Sequence, residues 1–251
     1  MNAADGDPGD ERGPQQRIAD NVARVRDGIA AACERAGRSP GSVRLVAVTK
    51  YVPADLTRLV LEAGVTDLAE SRPQSLWNKA EALATARPQP RWHLVGHLQR
   101  NKVHRTLPLL AMLQTLDSLR LLEAIAAEVE RMPEGDRPRC DVLVEVNLTD
   151  DEGRSGAAVT DVPALVRAAA ASPGVQLRGL MGMAGHPDAE AADARRDFAR
   201  LRMLRDELAA TLPDPGLLAE LSMGMSGDYE VAILEGATLV RIGSALFEGL
   251  A

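Results

Sequence analysis

Val43-Arg44-Leu45-Val46-Ala47-Val48-Thr49-Lys50 is an almost uninterrupted apolar run that ends on a lysine and passes through Tyr51 and Val52 to Pro53. Val43, Leu45, Val46 and Val48 leave no clean polar face, which is the pattern of a parallel strand covered on both sides. Pro53 suits the first turn of a following helix. The run therefore predicts a strand-to-helix unit with Lys50 at the strand's carboxyl end. Ligands bind at that edge in parallel α/β architectures, and an amine buried there would be desolvated and nucleophilic. The competing reading is a solvated lysine in an ordinary loop.

Moving outward, short apolar runs recur at residues 67–70, 92–96, 112–117, 141–147, 177–183, 219–224 and 239–243, and each reads as a strand. Amphipathic stretches between them, such as 119–129, 162–171 and 191–212, read as helices. With the lysine strand this makes eight strand units in 251 residues. That alternation predicts an α/β fold, a single (β/α)8 TIM barrel, since a barrel takes about 250 residues and leaves no second domain over. Ahead of it, Ile18, Val22, Val25, Ile29, Ala32 and Cys33 recur at steps of three and four, predicting an extra N-terminal helix that ends by Gly37 and Pro40. Met1 to Gly13, rich in Gly, Asp and Pro, is expected to be a disordered tail, and residues 14–251 the barrel domain.

Composition narrows the function. Aromatic residues are only 2%, so the core must be built from Leu, Val, Ile, Ala and Met. A net charge of -7 provides no electrostatic footprint for nucleic acid or an anionic membrane. Cys33 and Cys140 are too few for a disulfide framework or a structural zinc site. No run reaches the length of a membrane span and no signal peptide is legible, so a cytoplasmic protein is expected. His93 and His97 straddle a strand end and a glycine, which is not the spacing of a metal pair, and no metal is expected. Arg100, Lys102, His104 and Arg105 read as a solvated helix face.

The end of the chain is the second informative place. Leu221-Ser222-Met223-Gly224-Met225-Ser226-Gly227-Asp228 follows the seventh strand, and Val240-Arg241-Ile242-Gly243-Ser244 the eighth. Small residues there leave backbone N–H groups open to an anion, and phosphate sites are frequent after strands seven and eight of this fold. Closure of strand eight against strand one would put such a phosphate on the same rim as Lys50. Alternatively, Gly224, Gly227 and Gly243 are plain turn residues. A phosphate-bearing carbonyl compound beside a lysine suggests pyridoxal 5′-phosphate held as a Schiff base.

The motifs Ala47-Val48-Thr49-Lys50, Trp92 to Lys102, Val146-Asn147, Gly179-Leu180-Met181, Leu221 to Ser226 and Val240 to Gly243 resemble those of the pyridoxal phosphate homeostasis proteins. The resemblance runs from about Ile18 to the C-terminus. It implies an alanine-racemase-type barrel with pyridoxal phosphate on Lys50, the phosphate around Ser222, Gly243 and Ser244, and Arg241 against the pyridine nitrogen. Met223 and Met225 would pack near the cofactor or in the core. Two departures stand out: Ser71 occupies the place of a family asparagine that lines the pocket, and Arg154 that of a common lysine.

Two functions are compatible with these residues. One is a carrier and regulator of pyridoxal phosphate with little or no turnover, a monomer handing cofactor to apo-enzymes. The other is a pyridoxal-phosphate-dependent amino-acid racemase. An arginine at the ring nitrogen weakens the ring as an electron sink, and a racemase needs an acid/base on the opposite face. In alanine racemases a further C-terminal domain provides that group, whereas this chain stops at Ala251. The carrier is therefore expected, with Tyr51 and Tyr229 as the phenols that would overturn it.

Overall fold

A computed structural model of the chain describes residues 13–133, 140–149, 153–185 and 191–250. The anticipated tail lies outside the described residues apart from Gly13, which stands as N-cap to the first helix. That helix, α1 (Pro14–Arg35), begins on a proline whose missing N–H would have had no partner there, and it buries the six predicted residues along one stripe. Then follow β1 (Arg44–Val48), α2 (Ala54–Glu62), β2 (Asp67–Glu70), α3 (Pro73–Ala82), β3 (Arg91–Leu94), α4 (Val103–Thr106), β4 (Leu110–Leu116) and α5 (Leu119–Arg131). The second half comprises β5 (Cys140–Asn147), β6 (Ala157–Ala158), α6 (Val162–Ala171), β7 (Val175–Gly182), α7 (Ala191–Ala209), β8 (Glu220–Ser222), α8 (Tyr229–Leu234) and β9 (Leu239–Ile242).

Every strand pairing is parallel. The strands run β4-β3-β2-β1-β9-β8-β7-β5, and the β4–β5 pairing closes them into an eight-stranded barrel, with the two-residue β6 attached to the end of β5. The predicted α/β barrel with an extra N-terminal helix is the observed architecture. At the closing seam β1 lies on β9 in the register Val46 to Arg241 and Ala47 to Ile242. Helix α1 packs on α2 and α8, the helices that flank this seam, and so covers it from outside.

Two apolar layers result from the alternation of side chains along each strand. The larger one lies between strands and helices. The smaller consists of Val46, Ala69, Met112, Leu143, Met181 and Leu239 inside the barrel. It shares the interior with polar residues at the same strand levels, since Val46 is in register with Arg241 and Met181 with Glu145 and Ser222. The interior polar residues His93, Gln114, Glu145, Ser222 and Arg241 are all buried. Strand β8 is shorter than predicted because Gly224 has φ +93, a left-handed conformation that leaves the strand direction and that a side chain would disfavour.

Candidate functional site

The interior polar groups form one chain of hydrogen bonds. Arg241 Nη1 donates to the Ser222 hydroxyl at 2.8 Å, and that hydroxyl donates to Gln114 Oε1 at 2.6 Å. The Gln114 amide nitrogen lies 2.9 Å from His93 Nδ1, and His93 Nε2 lies 2.9 Å from Asp67 Oδ1. With Gln114 donating to Nδ1, the imidazole carries its proton on Nε2 and donates that N–H to the carboxylate, so all the bonds point one way, from Arg241 to Asp67. Burial pushes the His93 imidazole down from its ordinary value, against the bond and charge of Asp67. For Asp67, burial acts upward, but the bond and charge of His93 and the guanidinium groups of Arg91 and Arg44 outweigh it and hold the carboxyl below its ordinary value.

Arg241 is 4% exposed. Besides the Ser222 hydroxyl, it donates to the Ser222 carbonyl at 2.8 Å and the Gly182 carbonyl at 3.0 Å. These bonds orient the guanidinium plane while burial lowers its pKa to about 10. Ser222, a predicted phosphate ligand, is thus engaged inside the barrel with Arg241 and Gln114. Met223, predicted near the cofactor or in the core, is wholly buried and belongs to the outer, helix-facing layer.

At the rim, Gly243 directly follows β9, and a Cβ placed on it would lie 3.4 Å from the Val48 carbonyl oxygen and 3.6 Å from Val48 Cβ. The residue therefore sits beside the last residue of β1, two before Lys50. The backbone N–H groups of Gly243 and Ala245 both point at Ser226 Oγ, at 3.3 and 3.4 Å. Ser244 is exposed between them. A hydroxyl flanked by two convergent amides beside an unencumbered glycine is a small anion cradle. Ser226 was absent from the predicted ligands. The signal that could have found it is its place in Gly224-Met225-Ser226-Gly227, the one hydroxyl in a loop of glycines.

Lys50 stands at the carboxyl end of β1, in a turn closed by the Val52 N–H donating to the Thr49 carbonyl at 3.1 Å. The expectation of a buried, desolvated amine is corrected: Lys50 is exposed, and its Nζ lies 4.8 Å from the centre of the Tyr51 ring, itself 88% exposed. The strand ends before the lysine, so the side chain leaves from the rim rather than from within the barrel. Burial falls instead on Lys79 of α3, which the sequence reading had not placed in the site. Its Nζ donates to the Thr49 carbonyl at 2.6 Å and to Glu70 Oε1 at 2.5 Å, and Thr49 Oγ1 donates to the same carboxylate oxygen at 2.6 Å. This buried ion pair fixes the peptide immediately before Lys50. Ser71 follows β2 and is half-buried; a Cβ on Gly96 would fall 2.2 Å from the Ser71 carbonyl, so that glycine lets the ends of β2 and β3 meet.

Tyr229 is not at the mouth. A Cβ on Gly28 would fall 2.1 Å from its hydroxyl, so the phenol lies against α1 on the outside of the barrel. Among the described residues no group of three His, Cys, Asp or Glu side chains could hold a metal ion.

The family model for the alanine racemase N-terminal domain matches residues 16–250. A pyridoxal phosphate homeostasis protein of Pseudomonas aeruginosa is 39% identical over 230 residues, covering 92% of this chain and 94% of its own. One from Homo sapiens is 36% identical over 211 residues, covering 81% of this chain and 75% of its own. Among solved structures, PipY of Synechococcus elongatus with pyridoxal phosphate bound superposes with a TM-score of 0.79 at 32% identity, covering 92% of this chain and 99% of that one. Alanine racemase from Corynebacterium glutamicum shares the fold, with a TM-score of 0.66 at 16% identity over 94% of this chain and 63% of its own. By its barrel, its matched family model and these relatives, the chain belongs to the alanine racemase N-terminal domain family and, within it, to the pyridoxal phosphate homeostasis proteins.

Proposed function

We propose that this chain binds pyridoxal 5′-phosphate at the carboxyl-terminal mouth of the barrel, as a Schiff base on Lys50, and serves intracellular pyridoxal phosphate (vitamin B6) homeostasis with little or no turnover of its own. The observation that carries the reading is the β9–β1 seam. It brings the anion cradle of Gly243, Ala245 and Ser226 and the buried Arg241 beside β1, whose last residue stands two before Lys50. The residues fit the group. The cradle offers a phosphate the Ser226 hydroxyl and, where a phosphate oxygen displaces that hydroxyl, the two amides that now donate to it, with Ser244 at its edge and Gly243 leaving the backbone approachable. Among the described residues Arg241 Nε makes no hydrogen bond, so one edge of the guanidinium is left for a ring nitrogen.

When bound, pyridoxal phosphate supplies an aldehyde that condenses with an amine and a ring that withdraws electrons. The chain's own residues do the rest. Lys50 provides the amine. Arg241, a cation held by Ser222 and Gly182, donates toward the ring nitrogen and opposes its protonation, which limits electron withdrawal. Ser71 lines the approach from β2. The exposed position of Lys50 suits a cofactor that must leave again, and apo-enzymes are the proposed acceptors, with the carrier a monomer. No helix among the described residues is long and apolar enough to cross a membrane.

Absorption spectra of the purified protein with added pyridoxal phosphate, before and after borohydride reduction, test this directly. A visible band that reduction converts into a stable adduct on the Lys50 peptide is expected. No band, or an adduct mapped to another lysine, would end the proposal.

A further inference from the structure

Three buried side-chain polar atoms lack a hydrogen-bond partner among the described residues: Glu70 Oε2, Glu145 Oε2 and Ser172 Oγ. Such atoms are uncommon and call for an explanation, because an unpaired buried group forfeits its solvation. Ser172 follows α6, outside the barrel. Glu70 faces outward, its other oxygen taken by Lys79 and Thr49. Glu145 alone faces inward: it lies two residues beyond Leu143, a member of the interior cluster, and side chains alternate along a strand.

Its position in the barrel is specific. Strand β5 is four strands from β1 in either direction, so Glu145 lines the wall opposite Lys50. Its Oε1 accepts from the Ser155 hydroxyl at 2.6 Å. A Cβ on Gly156 would fall 3.2 Å from Glu145 Cγ, so the loop of Ser155 and Gly156 presses the carboxyl in place. The titratable groups whose charge reaches it are Asp117 after β4, His97 between β3 and β4, and Arg241 on β9. Burial pushes the carboxyl up, and Asp117 adds to this, against the Ser155 bond, Arg241 and His97. A carboxyl group whose charged form is disfavoured can donate a hydrogen bond.

Pyridoxal phosphate has four polar features: phosphate, ring nitrogen, aldehyde and ring oxygen. The cradle, Arg241 and Lys50 account for the first three. We propose that Glu145 Oε2 is the hydrogen-bond partner of the fourth, the ring oxygen, and so selects ligands that carry it. This rests on the reading of the site as a pyridoxal phosphate site.

The test titrates the apo-protein with pyridoxal phosphate and with its 3-O-methyl ether, in wild type, Glu145→Gln and Glu145→Leu, reading affinity from absorbance. Wild type should prefer pyridoxal phosphate by at least about tenfold, the value of one buried hydrogen bond to a charged or anionic group. Glu145→Gln, which still donates, should keep most of that preference. In Glu145→Leu the two ligands should bind within about twofold of each other, since the leucine has no donor to lose. Melting of the apo-proteins gives a readout that needs no ligand: a carboxyl held above its ordinary value of 4.5 favours the fold at lower pH, and this contribution should vanish in both variants. A preference that persists in Glu145→Leu would be steric and would overturn the inference, as would equal binding of both ligands by wild type, which needs no variant to fold. If wild type binds neither ligand, it is the pyridoxal phosphate reading that fails.

Discussion

Arg241 and Ser222 are joined twice, because Nη1 of the arginine donates to both the carbonyl and the hydroxyl oxygen of the serine at 2.8 Å. The serine hydroxyl also donates to Gln114, so removing it takes one acceptor from a buried cation that keeps its two carbonyls and leaves the buried Gln114 oxygen without that donor. Ser222→Ala should therefore cost about 1–3 kcal/mol of stability. Urea denaturation of the apo-protein measures it. Loss of ligand affinity with stability unchanged would mean instead that Ser222 contacts the ligand.

Lys50→Ala should behave in the opposite way. The side chain is exposed and lies over the ring of an exposed tyrosine, so stability should change by no more than about 0.5 kcal/mol. The borohydride adduct should be abolished. Lys79, whose ammonium is held by Glu70 and the Thr49 carbonyl, should not take over. Peptide mapping after reduction decides between the two lysines.

The cradle predicts a phosphate requirement. Ser226→Ala and Gly243→Val should each weaken pyridoxal phosphate binding by at least about tenfold while leaving pyridoxal almost unaffected, because charge-assisted bonds to phosphate are worth about 1.5–3 kcal/mol. Gly243 has ordinary contact distances around an added Cβ, so the valine variant should fold. Equal losses for both ligands would move the phosphate elsewhere.

His93 makes the apo-fold acid-sensitive. Its folded pKa lies below its ordinary value of 6.5, so the unfolded state binds more protons between the two values. The stabilisation is present above about pH 6.5 and is lost as the pH falls through that window toward the folded pKa. Asp67 has the same sign and its contribution is lost lower still, below its ordinary value of 3.8. Glu145, raised from 4.5, acts inversely and favours the fold at lower pH. The urea midpoint should drop between pH 7.5 and 5.5, and His93→Gln should flatten that drop. An unchanged slope in the variant would show that the imidazole is not its source.

The barrel was legible because its strands announce themselves. Apolar runs such as 141–147 and 239–243 have no competing reading at that length, and all eight recur as strands, with shifts of one or two residues at their ends. What escaped was side-chain direction near the strand ends. Lys50 was expected to be buried because the run before it is, yet β1 stops at Val48 and the turn carries the lysine outward. Ser222 and Ser226 are four residues apart in one motif, and only the left-handed Gly224 between them separates an interior hydroxyl from a rim one. Glu145 and Lys79 had no motif to mark them; their partners lie on other elements, Ser155 for the first and Glu70 and Thr49 for the second.

The β9–β1 seam has a consequence for how the protein is made. Lys50 is synthesised well before Arg241 and the Gly243 cradle, and the two sides of the proposed site meet only when β9 docks on β1 beneath α1. Such a contact has the longest loop to close and the slowest expected formation. During synthesis the first seven barrel strands would present open edges on β1 and β8, and the proposed site would not be complete until β9 had docked between them. Acquisition of the ligand is therefore a report of completed folding, and added cofactor should speed the last step of refolding rather than the first.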